Sequence, residues 1–343
     1  MGEQTIFDPE KFLFRDLHPL VSIGTASDRY KGWVGQIYSQ DLYAGRIKAR
    51  TNRVGKNSFR DEILPIDCVR EYFQHFRILE IDYTFYAPLV EKRIPTPCAG
   101  TLGQYAMFLG TGDGVFLKAP QVFFAQKLRR GKDYIRNENY LAPEPFFRQF
   151  YEPALGILGD NLRGIIFEQE YQRFGDRPPP EALAADFDRF FAAIPSDTRY
   201  HVELRTEAYL CKPVFEVLRK YGVGQVLSHW TWLPNLSRQF LRSGRRFVDA
   251  GGQVVLRLMT PLCTRYEDAY AKAFPFDRLI DGMVQPAMID QTAHLMWEAI
   301  LHGTRINIII NNRAGGNAPL IARMIAARFL EIGGKSPNRP VSG

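Results

Sequence analysis

The chain has 343 residues, 45% hydrophobic and 24% charged, with a formal net charge of +7. These are the proportions of an ordinary globular protein, long enough for one large domain or two small ones. No run approaches the roughly eighteen consecutive apolar residues of a membrane span, and the opening MGEQTIFDPEKFLFRDL is too charged for a secretory signal, so a cytoplasmic protein with no membrane partner is expected.

Residues 1–19 read as an N-terminal extension, and LVSIGT (20–25) as the first strand. Residues 39–66 read as an insertion after it, and RIKARTNRVGKNSFR (46–60) within it carries Arg46, Lys48, Arg50, Arg53, Lys56 and Arg60 with no acid. KLRRGK (127–132) is a second basic cluster. Neither is interleaved with aromatic residues for stacking on bases, so both read as solvated loops, with contact to nucleic acid as the alternative. Val69, Tyr72, Phe73 and Phe76 then recur at helical spacing. Strand-like runs follow at ILEIDYTFY (78–86), GVFLKAP (114–120) and RGIIFEQ (163–169). Leu183, Phe187, Phe190, Phe191 and Ile194 mark another helix. Four more strands follow, RYHVELR (199–205), GVGQVLSHW (222–230), QVVLRLM (253–259) and RINIIINN (305–312). The end, GGKSPNRPVSG (333–343), reads as a disordered tail.

Strands separated by helices over this length predict an α/β fold, a single-domain TIM-type (β/α)8 barrel, because each parallel connection needs a crossover and the last strand must close on the first. A doubly wound open sheet is the competing architecture. It usually announces itself by G-x-G-x-x-G after the first strand, where this chain has IGTASDRYKGW. Cys68, Cys98, Cys211 and Cys263 are scattered with no Cys-x-x-Cys pair, which argues against a zinc ribbon or a disulfide framework and for buried free thiols.

Alternate residues of a strand share a face, so Glu80 pairs with Asp82, and His201 with Glu203 and Arg205. Lys118, Glu168, His229, Arg257 and Asn311 each sit near the C-terminal end of a strand. If that parity points inward, charge crowds the end of the barrel where substrates are handled, and buried charges do not accumulate without partners or a ligand.

IGTASDRYKGWVGQIY (23–38), LEIDYTFYAP (79–88), FLKAP (116–120), HVELR (201–205), VLRL (255–258) and NNRAGGNAP (311–319) resemble, in this order, the motifs of the YecE-like family, domain of unknown function 72. The resemblance runs from about residue 20 to residue 325 and implies a TIM-type barrel, with no settled activity. The chain departs from the family pattern at Ala26–Ser27–Asp28, at Glu168–Gln169–Glu170, at Thr206, at His229 and at Met259–Thr260. An activity that relied on the family's histidines is thereby put in question. Tyr30, Trp33, Glu80, Tyr86, Lys118, Glu203, Arg205, Arg257, Asn311 and Asn312 are kept.

Glu80 and Glu203 are the candidates for an acid/base pair, because two carboxyls in unequal surroundings hold different protonation states. The alternative is an ion-pair network with Lys118, Arg205 and Arg257 that fixes the barrel. Tyr30, Trp33, Tyr86, Lys118, Arg205, His229, Arg257, Asn311 and Asn312 are the candidate ligand-binding residues. No cofactor is expected; the alternative is a divalent metal on Glu80, Glu168, Glu203 and His229, with magnesium or manganese ahead of zinc. NNRAGG (311–316) reads either as a strand-to-helix turn or as a turn that also cradles an anion at a helix N-terminus. Trp230 and Trp232 read as packing under a loop or as a platform for a sugar or base. The expectation is an enzyme acting on an anionic or polyhydroxylated substrate, a phosphosugar or nucleic acid. The alternative is a noncatalytic barrel that binds such a ligand through the same mouth and the basic insertion.

Overall fold

A computed structural model describes residues 7–131 and 133–335. Eight parallel strands close into a barrel in which each strand pairs with its neighbours in chain order and the last with the first. They are β1 (Val21–Ala26), β2 (Ile78–Ile81), β3 (Gly114–Lys118), β4 (Leu162–Gln169), β5 (Tyr200–Leu204), β6 (Gly224–His229), β7 (Gln253–Leu258) and β8 (Arg305–Ile310). Every strand-like run of the sequence supplies one of them. Helices cross over between them, among them α1 (Val69–His75), α2 (Pro97–Ala106), α3 (Pro180–Ala193), α4 (Tyr266–Ala273) and, after β8, α5 (Ala318–Lys335).

Strand parity divides the apolar residues into two cores. Ala26, Ile78, Phe116, Ile166, Val226, Val255 and Ile309 fill the barrel interior as a cluster of their own. The intervening residues, such as Leu79, Val115, Phe167, Val202, Leu256 and Ile308, pack outward against the helices in the large core. Because Ile78, Phe116, Ile166 and Val255 face inward, so do the residues two positions on: Glu80, Lys118, Glu168 and Arg257. The same rule turns His201 and Glu203 inward on β5. His201 fits there because Gly224 of β6 lies beside it, where a Cβ would come within 2.3 Å of its ring.

Three consecutive connections at the C-terminal end carry two-stranded antiparallel hairpins, at Lys48–Val54 with Asn57–Ile63, Val90–Glu91 with Ile94–Pro95, and Lys127–Arg130 with Asp133–Arg136. The basic insertion therefore forms a ribbon where the sequence suggested a loop. Of the second basic cluster, Lys132 lies outside the described residues. The N-terminal extension packs against the barrel: Phe14 is buried and stacks on Phe76, and Arg15 pairs with Asp113 at 2.7 Å. Of the expected tail, Gly333, Gly334 and Lys335 belong to α5 instead, and residues 336–343 lie outside the described residues. All four cysteines are free, but only Cys68 is buried and Cys263 is exposed, which corrects the expectation of four buried thiols.

Candidate functional site

Six charged side chains from five strands meet at the C-terminal end of the barrel. Glu168 and Glu203 occupy paired positions on β4 and β5, so two carboxylates stand side by side, and cations must separate them. Arg257 does most of this. It donates from Nη2 to Glu80 Oε1 at 2.6 Å and from Nη1 to Glu203 Oε2, with Glu168 Oε2 at 3.8 Å. Lys118 Nζ lies 2.5 Å from Glu168 Oε2, and Arg205 reaches Glu168 Oε1 at 2.6 Å and Glu203 Oε2 at 3.3 Å.

The network has two tiers. The side chains of Glu80, Glu203 and Arg257 are 0% exposed, whereas those of Glu168, Lys118 and Arg205 retain 7%, 10% and 16%. The inner tier is sealed and the outer tier meets the mouth. With every group ionised the outer triad carries a net of +1 and the inner tier, two glutamates against Arg257, a net of −1, so the six charges balance.

Burial and charge act in opposite directions on the three carboxyls. Burial pushes Glu80 above the ordinary glutamate range, and Arg257 and Lys118 offset it only in part. Burial also acts on Glu168, but Arg205, Lys118 and Arg257 outweigh it and bring its carboxyl down to about 2. For Glu203 burial is again the largest single influence, yet Arg205 and Arg257 together hold it below its usual value. Three polar atoms of the inner tier, Glu80 Oε2, Glu203 Oε1 and Arg257 Nε, have no hydrogen-bond partner, and neither does the buried Arg205 Nε in the outer one.

Aromatic side chains from separate connections ring this charged floor. Lys118 Nζ lies 3.9 Å from the Phe85 ring centre, and the Arg205 guanidinium lies 4.9 Å from that of Trp230. Tyr171 sits 6.0 Å from both Trp230 and Trp232. Tyr86 is 79% exposed, and its ring lies 5.5 Å from that of Phe85.

Other expected site residues lie outside the network. Trp33 is fully buried and donates its indole N–H to Asn312 Oδ1 at 3.3 Å, while Tyr30 packs between Trp33 and Phe276. His229 has the opposite parity to the inward Ser228; its Nδ1 lies 2.9 Å from the Thr260 carbonyl, and burial lowers its pKa. Asn311 accepts from the Arg313 N–H at 3.0 Å, Asn312 from the Ala318 N–H at 2.8 Å, and Asn317 from the Leu320 N–H at 2.9 Å. The asparagines thus fill the donors that would have cradled an anion at the start of α5. Gly316 has a φ of +109°, and a Cβ there would come within 2.3 Å of the Arg278 carbonyl oxygen, so NNRAGG is accounted for as a turn.

Among the described residues no group of three or more His, Cys, Asp or Glu is arranged to hold a metal, and the three glutamates converge on Arg257 instead. Nor, among those residues, is any helix long and apolar enough to cross a membrane. Sequence reasoning placed Glu168 at a strand end and among possible metal ligands, where the structure gives it Lys118 and Arg205 as partners. It missed Asp28, which is buried, accepts from the Tyr105 hydroxyl at 2.8 Å, and is raised to about 6 by burial, which that bond and Arg29 only partly offset.

A family profile described as "Protein of unknown function DUF72" matches residues 57–341. Among solved structures, a DUF72 family protein from Enterococcus faecalis V583 is similar with a TM-score of 0.56 at 13% identity, covering 90% of this chain and 95% of that one. Another, from Thermotoga maritima MSB8, gives a TM-score of 0.51 at 14% identity, covering 91% and 99%. At such identities the likeness concerns the fold alone. No curated protein matches the chain.

Proposed function

Because the chain belongs to the DUF72 family, proteins of unknown function, we propose its role from the mouth itself: the barrel binds a small polyhydroxylated ligand carrying an anionic group, of the phosphosugar class. Lys118 and Arg205 hold the anion, and Trp230, Trp232, Tyr171 and Tyr86 offer flat apolar faces to the ring. The observation that carries this reading is the division of the network. Arg205 keeps 16% of its side chain exposed, with the guanidinium beside Trp230, whereas Glu80, Glu203 and Arg257 are sealed and both carboxylates are bonded to the arginine. The inner tier then acts as an electrostatic frame that fixes the outer cations in place.

Acid/base turnover by Glu80 and Glu203 is the second reading. It is favoured by the opposite directions in which the two carboxyls are displaced and by the free oxygen on each. Burial speaks against it, since neither carboxyl reaches a ligand while Arg257 holds both.

The test is thermal unfolding with inorganic phosphate, with free sugars, and with a panel of pentose and hexose phosphates. A ligand at a hundred times its dissociation constant stabilises the fold by about 2.7 kcal/mol. A sugar phosphate should stabilise more than phosphate or sugar alone, Arg205→Met should abolish the effect, and Trp230→Ala should remove the sugar's share. Equal stabilisation of wild type and Arg205→Met, or none by any member of the panel at millimolar concentration, would overturn the reading.

A further inference from the structure

The hairpin of Lys48–Val54 and Asn57–Ile63 has two unlike faces. Asn52, Val54, Phe59 and Asp61 lie on the face turned to α4: Asn52 donates to the Tyr270 hydroxyl at 3.0 Å, that hydroxyl donates to Asp61 at 2.9 Å, and the Phe59 ring lies 4.9 Å from that of Tyr270. This packing holds the ribbon rigidly on the barrel. Strand parity puts Ala49, Thr51, Arg53, Ser58, Arg60 and Glu62 on the other face, and all six are exposed.

That outer face is positive and nearly free of competing acid. Its one carboxylate, Glu62, is paired with Lys31 at 2.8 Å. Arg53 and Arg60 on the face and Lys56 at the tip form no ion pair among the described residues. A shallow concavity of about 500 Å³ on the ribbon is lined by Ala49, Arg50, Thr51, Ser58, Phe59 and Arg60. At the ribbon's base a second cavity, of about 480 Å³, is lined by Arg29, Arg46, Lys48 and Arg70, with Asp67 as its one acid. Asp67 is held by Arg46 at 2.8 Å. Apart from Lys48, whose parity is that of the face turned to α4, the cations lie at the base (Arg29, Arg46, Arg70) and toward the tip (Arg53, Lys56, Arg60) of a strip that, at seven residues per strand, is about 23 Å long.

We propose that this strip binds the phosphate backbone of duplex nucleic acid, without reading its sequence. The small side chains of Ala49, Thr51 and Ser58 between the arginines leave a flat bed that a rigid backbone can approach. Single strands are disfavoured because they are held largely by stacking, and the ring of the ribbon's one aromatic residue, Phe59, is already packed on Tyr270 and Phe274. A membrane surface is disfavoured because the tip, Gly55–Lys56, offers no apolar side chain to insert. The proposal is independent of the ligand assigned to the mouth.

The test is fluorescence anisotropy with a labelled 20-base-pair duplex, the matching single strand, and vesicles containing anionic lipid, at salt concentrations between 50 and 200 mM. Each phosphate contact contributes about −0.9 to the slope of log affinity against log salt. The triple substitution Arg53→Ser, Lys56→Ser and Arg60→Ser should flatten the slope by roughly 2 to 3 and lower affinity at 50 mM salt at least tenfold, with an unchanged melting temperature. Arg60→Glu alone should weaken binding several-fold, and Lys118→Met in the mouth should leave it unchanged. The proposal is overturned by an unaltered slope in the triple variant, by tighter binding of the single strand or of vesicles, or by loss of duplex binding in Lys118→Met.

Discussion

Replacing Arg257 with methionine removes the guanidinium on which the inner tier is built while keeping much of its volume. Glu80 loses its 2.6 Å partner, and Glu203 keeps only Arg205 at 3.3 Å. Breaking a buried pair from one side leaves an uncompensated charge and typically costs about 3–5 kcal/mol, a large part of the roughly 5–15 kcal/mol that holds an ordinary domain together. The sign of the pH dependence follows from the carboxyls. Glu168 and Glu203 are held low, so they contribute stability above the unfolded carboxylate range that is lost as pH falls through their folded values. Glu80 is raised and works in the opposite sense, its contribution being lost as pH rises through its folded value. Without Arg257, Glu80 rises further and Glu203 rises too, and both gain stability by taking up protons. Urea unfolding at pH 8 should therefore show the full loss, and at pH 5 a clearly smaller one. Adding Glu80→Gln to Arg257→Met should recover roughly 1–3 kcal/mol at pH 8. A loss below about 1 kcal/mol, or one that does not change between the two pH values, would refute the buried charge network.

Asp28→Asn tests the other raised carboxyl. Its rise from 3.8 to about 6 corresponds to about 3 kcal/mol at most, a cost present above pH 6 and absent below pH 4, so the variant should melt higher at pH 8 and nearly unchanged at pH 4; a gain that grows toward acid would contradict this. Gly224→Ala should cost about 1–3 kcal/mol by driving a methyl into His201, and in a His201→Ala background the same change should cost almost nothing, as chemical denaturation will show. Gly316→Ala combines a left-handed φ with contact on a carbonyl oxygen and should cost more than the roughly 1 kcal/mol of strain alone; a neutral result would mean that the turn is looser than described.

Much of the barrel was legible because its eight strands are short apolar runs punctuated by turn residues and separated by helical spacing. The ends of those runs were not. ILEIDYTFY continues past Ile81 in sequence character, but Thr84 donates to the Lys118 carbonyl at 2.7 Å and draws Tyr83–Phe85 into a helical turn. Parity put Glu203 with Arg205 and His201 on one face and left its direction open; the apolar Ile78 and Val255, two positions before Glu80 and Arg257, fix the inward sense for those two. What parity does not contain is closure. That Arg257 occupies two carboxylates at once, and that Lys118 and Arg205 keep 10% and 16% of their side chains exposed, depends on side-chain reach across strands distant in sequence. The aromatic rim is tertiary in the same way, assembled from connections after β2, β4 and β6. The basic insertion was misjudged as a loop because its charged residues mask a period of two, in which Asn52, Val54, Phe59 and Asp61 meet α4.

The division into a sealed inner tier and an accessible outer one is tested most directly by the diffraction map of crystals soaked in the sugar phosphate that stabilises the protein most. Phosphate density against Lys118 Nζ and the Arg205 guanidinium, with the ring on Trp230 or Tyr171 and Arg257 still bonded to Glu80 and Glu203, is the predicted result. Phosphate seated on Arg257 with Glu80 or Glu203 displaced, or bound away from the mouth altogether, would contradict it.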